Sequence, residues 1–174
     1  TESVDWSRDS LTSYGFHGWI PFGSLARGDL PESPGVYVVY RDEHASPEFL
    51  AQSPAGTHKG RDLTAPLELV EAAWLDSSPV LYIGKATSLR SRVTAYRRQG
   101  QGRKAGHQGG AYLWQLVGAT EALVAWKETP SFACAEAALI EQFMSDFGAR
   151  PFANRKHEPR TSCPPDALER FLSA

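Results

Sequence analysis

Apolar positions along the chain recur with two different periods. Residues 36–40, Val-Tyr-Val-Val-Tyr, are β-branched and aromatic and follow the turn-rich run Leu30-Pro31-Glu32-Ser33-Pro34-Gly35, which predicts a strand. Val80-Leu81-Tyr82-Ile83 predicts a second strand, stopped by Gly84, and residues 122–126 a third. After Gly84 the period lengthens. Leu89, Val93 and Tyr96 form one stripe of a helix that Thr87 or Ser88 caps and Gly100 ends. Residues 132–147 carry the strongest helical pattern, with Phe132, Leu139, Ile140, Phe143 and Phe147 on one face. Thr64 as cap and Pro66 in the first turn predict a short helix through Leu75; others are expected near residues 112–117 and after Pro164-Pro165-Asp166. Residues 42–63, with Pro47, Pro54, Gly56 and Gly60, read as a loop. Residues 1–34 are mixed polar and aromatic and read as an extension packed on the domain.

A length of 174 residues with 41% hydrophobic composition suits one core and is short for two. No apolar window of about 18 residues predicts a membrane span, and no stretch reads as a signal peptide. The two cysteines, Cys134 and Cys163, have neither metal-ligand spacing nor the density of a disulfide scaffold, so a reducing, cytoplasmic setting is expected. A net charge of −2 argues against a generic polyanion binder. The distribution of charge changes that picture. Seven cations, Lys85, Arg90, Arg92, Arg97, Arg98, Arg103 and Lys104, follow one another up to His107 with no acid between them, and Arg150, Arg155, Lys156 and Arg160 cluster further on. Such a run is either a solvated face or a footprint for nucleic-acid phosphates.

Five positions resist a packing explanation taken together. Glu136 falls within the apolar stripe of the 132–147 helix, one turn before Ile140, whereas Glu141 lies roughly 140° round the wheel. A carboxylate there is costly without a partner, so it is either a buried ion pair with an arginine or a metal ligand. Arg92 sits about 60° from Leu89, on the shoulder of its own helix's stripe and one turn before Tyr96. It either snorkels over apolar surface or projects toward a ligand. Tyr37 and Tyr82 lie in strands expected to pair, with Lys85 directly after the strand-ending glycine.

Gly35-Val36-Tyr37, then Tyr82-Ile83-Gly84-Lys85, then Leu89, Arg92 and Tyr96, then Glu136 with Ile140, then Pro151 and Asn154 together resemble the GIY-YIG endonuclease family. The stretch LYIGKATSLRSRVTAY is similar in particular to the N-terminal nuclease domain of the bacterial excision-repair incision subunit. The resemblance implies an α+β fold, a small three-stranded antiparallel sheet flanked by helices. The nuclease domain would span residues 35–160 with an insertion at 42–79, preceded by the 1–34 extension and followed by a short C-terminal helix in 161–174. It also implies hydrolysis of DNA phosphodiesters with one divalent ion, Mg²⁺ or Mn²⁺, on Glu136. Arg92 would hold the phosphate, and Tyr82, assisted by Tyr37 and Lys85, would activate water, the two tyrosine roles being left open. Tyr96 would orient water or phosphate, and Asn154 would support the phosphate or the framework. Arg90, Arg97, Arg98, Arg103, Lys104, His107, Arg155 and Lys156 are expected to touch DNA, with specificity residing in the basic loop and the insertion. The DNA could be plain duplex, modified or branched.

Other chemistries fit poorly. A phosphate-binding loop around Gly84-Lys85 would need glycine at position 79 and Ser or Thr at 86, where the chain has Pro79 and Ala86. No zinc spacing and no Gly-x-Ser-x-Gly elbow occurs, and no nucleotide cofactor is implied. The alternatives that survive are a catalytically silent nucleic-acid-binding module on the same fold and a protein whose basic stretch meets an acidic partner.

Overall fold

Strand-forming segments assemble into one antiparallel sheet with helices on both faces, an α+β architecture. The computed structural model describes residues 4–42, 44–104, 109–156 and 162–174. Along the chain come α1 (Arg8–Ser13), β1 (His17–Pro21), β2 (Gly35–Tyr40), a two-stranded ribbon β3 (Thr57–His58) and β4 (Arg61–Asp62), and α2 (Leu67–Ala73). Then follow β5 (Val80–Ala86), α3 (Leu89–Gly100), β6 (Leu123–Glu128), α4 (Phe132–Phe147) and α5 (Ala167–Ser173). The main sheet runs β1-β6-β2-β5, so it has four strands where three were expected. The additional strand, β1, comes from the N-terminal extension. Its alternation is broken by Gly18 and by Trp19, which adopts φ 54°, and the register with β6 shifts at that point. A strand so interrupted carries little period-two signal.

β5 does not stop at Gly84; it continues to Ala86, with Gly84 paired opposite Tyr37. Glycine is used there for space, since a Cβ on Gly84 would lie 2.6 Å from the Tyr37 hydroxyl. Val39 pairs with Tyr82 while Tyr40 pairs with Val80, so Leu81 is a bulge residue. Tyr37, Val39 and Tyr82 consequently share one face. There they pack with Leu89, Val93 and Tyr96 of α3 and with Trp114 and Phe152. Val36, Val38, Ile83 and Ala125 point the other way, against Leu139, Ile140 and Phe143 of α4 and Phe171 of α5. Ser88 caps α3, its hydroxyl accepting from the Ser91 amide at 3.3 Å, a contact of about 1 kcal/mol.

Cys134 and Cys163 are joined as a disulfide, with their Cα atoms 5.6 Å apart, which ties the first turn of α4 to the segment before α5. This corrects the expectation of two unpaired thiols: a 29-residue separation hides a contact that only the packing of α5 on α4 creates. The inference of a reducing setting from these cysteines loses its premise. Among the described residues no helix is long and apolar enough to cross a membrane.

Candidate active site at the edge of β5

Both layers of the fold meet at the outer edge of β5, and the singled-out side chains converge there. On one face the three tyrosines stack, with ring centroids 5.8 Å apart for Tyr37 and Tyr82, 5.2 Å for Tyr82 and Tyr96, and 6.5 Å for Tyr37 and Tyr96. Tyr37 is fully buried, and its hydroxyl is hydrogen-bonded to Tyr82 and to the Arg92 guanidinium. Burial pushes the Tyr37 hydroxyl well above the ordinary tyrosine value; the adjacent Tyr82 adds to the shift and the Arg92 guanidinium opposes it. Tyr82 is 7% exposed. Its pKa is also raised, first by burial and then by the Glu136 charge, while Arg92 and the hydrogen bond with Tyr37 pull it down. Arg92 favours the phenolate on either tyrosine; the two phenols differ in that Tyr37 is the more deeply buried and the bond between them raises Tyr37 and lowers Tyr82.

From the other face, α4 brings Glu136 to the same edge. Its Oε2 lies 3.6 Å from Lys85 Nζ, with the two side chains 17% and 40% exposed respectively. Glu136 flanks the buried stripe of Ala135, Leu139 and Ile140 instead of lying in its middle, and its partner is a lysine where an arginine was considered. A cleft of about 390 Å³ opens beside this group, lined by Lys85, Thr87, Ser88, Ser91, Arg92 and Phe132. The arrangement combines a carboxylate at a water-accessible rim, a guanidinium and an ammonium in one cleft, and a phenol held by a second phenol. Among the described residues no group of three or more His, Cys, Asp or Glu comes together. An ion at Glu136 would therefore have one protein carboxylate and draw its remaining ligands from water and substrate oxygens. Mg²⁺ tolerates that arrangement and zinc does not.

Asn154 acts on the framework. Its Oδ1 accepts from the Ile83 amide at 3.0 Å and its Nδ2 donates to the Ile83 carbonyl at 2.9 Å. With the Ala153 amide on the Leu81 carbonyl at 2.8 Å, this segment supplies the missing neighbour of an edge strand. Of the two roles expected for Asn154, this is the structural one. Tyr96 differs from its expected role: it is fully buried, and its hydroxyl donates to the Gly110 carbonyl at 2.6 Å. Gly110, at φ 75°, leaves no room for a side chain beside that hydroxyl.

The basic positions divide. Arg90 is held by the Leu30 carbonyl at 2.9 Å and Glu32 at 3.0 Å, and Arg97 donates to the Leu25 carbonyl, so both serve the fold. Arg98, Arg103, Lys104, Arg155 and Lys156 are exposed, Arg155 with its guanidinium 5.3 Å from the Tyr112 ring centroid. His107 lies outside the described residues. The sequence missed Gln115, fully buried and bonded to Leu50 and Ala65 of the insertion. A lone glutamine in an aromatic run, Tyr112-Leu113-Trp114-Gln115-Leu116, was its only signal. No family model matches the chain, and no curated protein or solved structure matches it.

Proposed function

We propose that the chain is a GIY-YIG-type endonuclease hydrolysing DNA phosphodiester bonds with one divalent ion held by Glu136. The observation that carries this reading is the linked group at the β5 edge. Arg92 and Tyr82 both bond Tyr37, and the Glu136 charge reaches Tyr82 from the opposite layer. Packing has no use for a guanidinium and an ammonium lining one cleft, the first bonded to a buried phenol pair and the second paired with a carboxylate, whereas an incoming phosphodiester does. Mg²⁺ at Glu136 would neutralise phosphate charge and make water more acidic.

The chain's own groups divide the remaining work. Arg92 presents a planar fork of donors to the nonbridging phosphate oxygens, where charge grows in the transition state. Tyr82, once in its phenolate form, takes the proton of the attacking water, because it is the phenol of the pair that retains some exposure. Tyr37 holds Tyr82 in place. Lys85 favours the phenolate electrostatically, and its contact with Glu136 would give way if that carboxylate held the ion.

One observation favours the silent binding module: Lys85 already neutralises Glu136 at 3.6 Å. Cleavage of duplex, modified, branched and single-stranded DNA with Mg²⁺ or Mn²⁺, compared among wild type, Glu136→Gln and Arg92→Ala, separates the two. The nuclease reading expects cleavage that chelator and either substitution abolish. Equal binding by all three proteins without strand scission supports the silent module.

A further inference from the structure

The insertion between β2 and β5 takes no part in the cluster, yet it is firmly built. The Gln115 side chain accepts from the Ala65 amide at 2.8 Å and donates to the Ala65 and Leu50 carbonyls at 3.0 and 3.1 Å. The Ser53 amide donates to Thr64 Oγ1 at 2.9 Å and the Leu63 amide to the Gly56 carbonyl at 2.9 Å, closing a stem. What the stem carries is the β3–β4 ribbon, with His58 paired to Arg61 across Lys59-Gly60. Both turn residues have positive φ, 51° and 78°. Such a two-residue hairpin turn favours Asn or Gly at its first position, and lysine there is strained. That lysine and Arg61 are exposed, and neither takes part in an ion pair among the described residues, so packing gives no return for the strain. Strain retained at an exposed charge points to a ligand.

The ribbon's position indicates which ligand. A Cβ on Gly102 would lie 2.9 Å from the Pro54 carbonyl, so the root of the stem abuts the end of α3, beside Arg98, Arg103 and Lys104. Arg92 lies on the same helix, about 12 Å back from Gly100 at 1.5 Å per residue, a length that duplex DNA covers in about four base pairs. A two-stranded ribbon fits the major groove of B-form DNA, whereas the major groove of A-form RNA is too narrow and deep for side chains to read.

Resting on the nuclease reading, we propose that the β3–β4 hairpin is a groove contact for double-stranded DNA, presenting Lys59 and Arg61 to the duplex several base pairs from the phosphate that Arg92 holds. The test is fluorescence anisotropy with a labelled 20-base-pair DNA duplex, the matching RNA duplex and single-stranded DNA over a salt series. Glu136→Gln serves as the non-cutting background, with and without Lys59→Ala and Arg61→Ala together. The expected result is duplex-DNA affinity at least about tenfold weaker in the double variant, with the log–log salt slope smaller by about 1.8 and single-strand binding unchanged. Lys59→Asn, which suits the turn, is expected to weaken binding while raising the melting temperature by about 1–3 °C. Duplex affinity within twofold and an unchanged slope would overturn the proposal, as would an equal loss on the RNA duplex or the single strand. If the wild-type protein cuts no DNA but the duplex-specific loss appears, the hairpin contact stands and the nuclease reading fails; cutting by the wild type with unaltered binding by the double variant gives the converse.

Discussion

Replacing Asn154 by alanine tests how β5 is held in place. Both ends of this amide engage one residue, accepting from the Ile83 amide at 3.0 Å and donating to its carbonyl at 2.9 Å, inside the protein. Truncation leaves a buried N–H and a buried C=O without partners, each costing about 1–3 kcal/mol. Because β5 is an edge strand, water can recover part of this, and the expected loss is about 2–4 kcal/mol. Urea denaturation should move to a midpoint lower by about 1–2 M with unchanged slope. Exchange of the Ile83 amide proton should accelerate by about 30- to 1000-fold in native conditions. Asn154→Asp sharpens the test. It keeps an acceptor for the amide but turns a carboxylate toward the Ile83 carbonyl, so it should be as damaging as alanine at pH 7. The aspartate's folded pKa is raised, so its protonated form is the stable one, and its deficit relative to wild type should shrink as pH falls toward 4. A stability within 0.5 kcal/mol of wild type for Asn154→Ala, or a deficit for Asn154→Asp that does not change with pH, would refute the clamp.

Gly84→Ala should place a methyl group against the fully buried Tyr37 ring, cost about 1–3 kcal/mol in thermal or chemical denaturation, and disturb the Tyr37–Tyr82 contact more than Gly28→Ala, where no atom lies within 4 Å, disturbs anything. Tyr37, Tyr82 and Tyr96 all have hydroxyl pKa values raised by burial, so their stabilising effect is complete below about pH 10 and is lost as pH rises beyond it. Unfolding free energy should then fall by up to about 4 kcal/mol per pH unit, and Tyr96→Phe should flatten that slope. Reduction of Cys134–Cys163, which closes a 29-residue separation, should cost about 3–4 kcal/mol, read as a lower melting temperature in dithiothreitol that Cys134→Ala with Cys163→Ala reproduces and that does not then respond to reductant.

Local chemistry made much of the fold legible. The helix at residues 132–147 lies where its periodicity predicts, and α3 begins at its Ser88 cap because capping is a local signal; its last residue is Gly100, but the glycine in the left-handed conformation beyond its end is Gly102, at φ 72°. The register of β2 and β5 brings Tyr37 and Tyr82 to one face, as alternation on paired strands predicts. What escaped was set by contacts distant in sequence. Thr64 was expected to cap a helix, but its hydroxyl accepts from the Ser53 amide in the insertion stem. The β3–β4 ribbon has two residues per strand and a Lys-Gly turn, too little for a periodic signal and without the Asn-Gly mark of such turns. Pairing of Cys134 with Cys163, and the difference between Arg90 or Arg97 and the exposed Arg98, likewise depend on which carbonyls or carboxylates the fold brings near. Charge counting along the sequence treats those arginines alike.

The most direct measurement is single-turnover cleavage of a DNA panel in Mg²⁺ by wild type, Glu136→Gln, Arg92→Ala, Tyr82→Phe and Tyr37→Phe, with folding of each verified by its melting curve. The account predicts chelator-sensitive scission by wild type, none detectable with Glu136→Gln, and a loss of about 10²–10³ for Arg92→Ala. It also predicts a larger loss for Tyr82→Phe than for Tyr37→Phe, since the first is the proton acceptor and the second its support. Scission that survives in Glu136→Gln, or a folded wild-type protein that binds the whole panel and cuts none of it, would contradict the account.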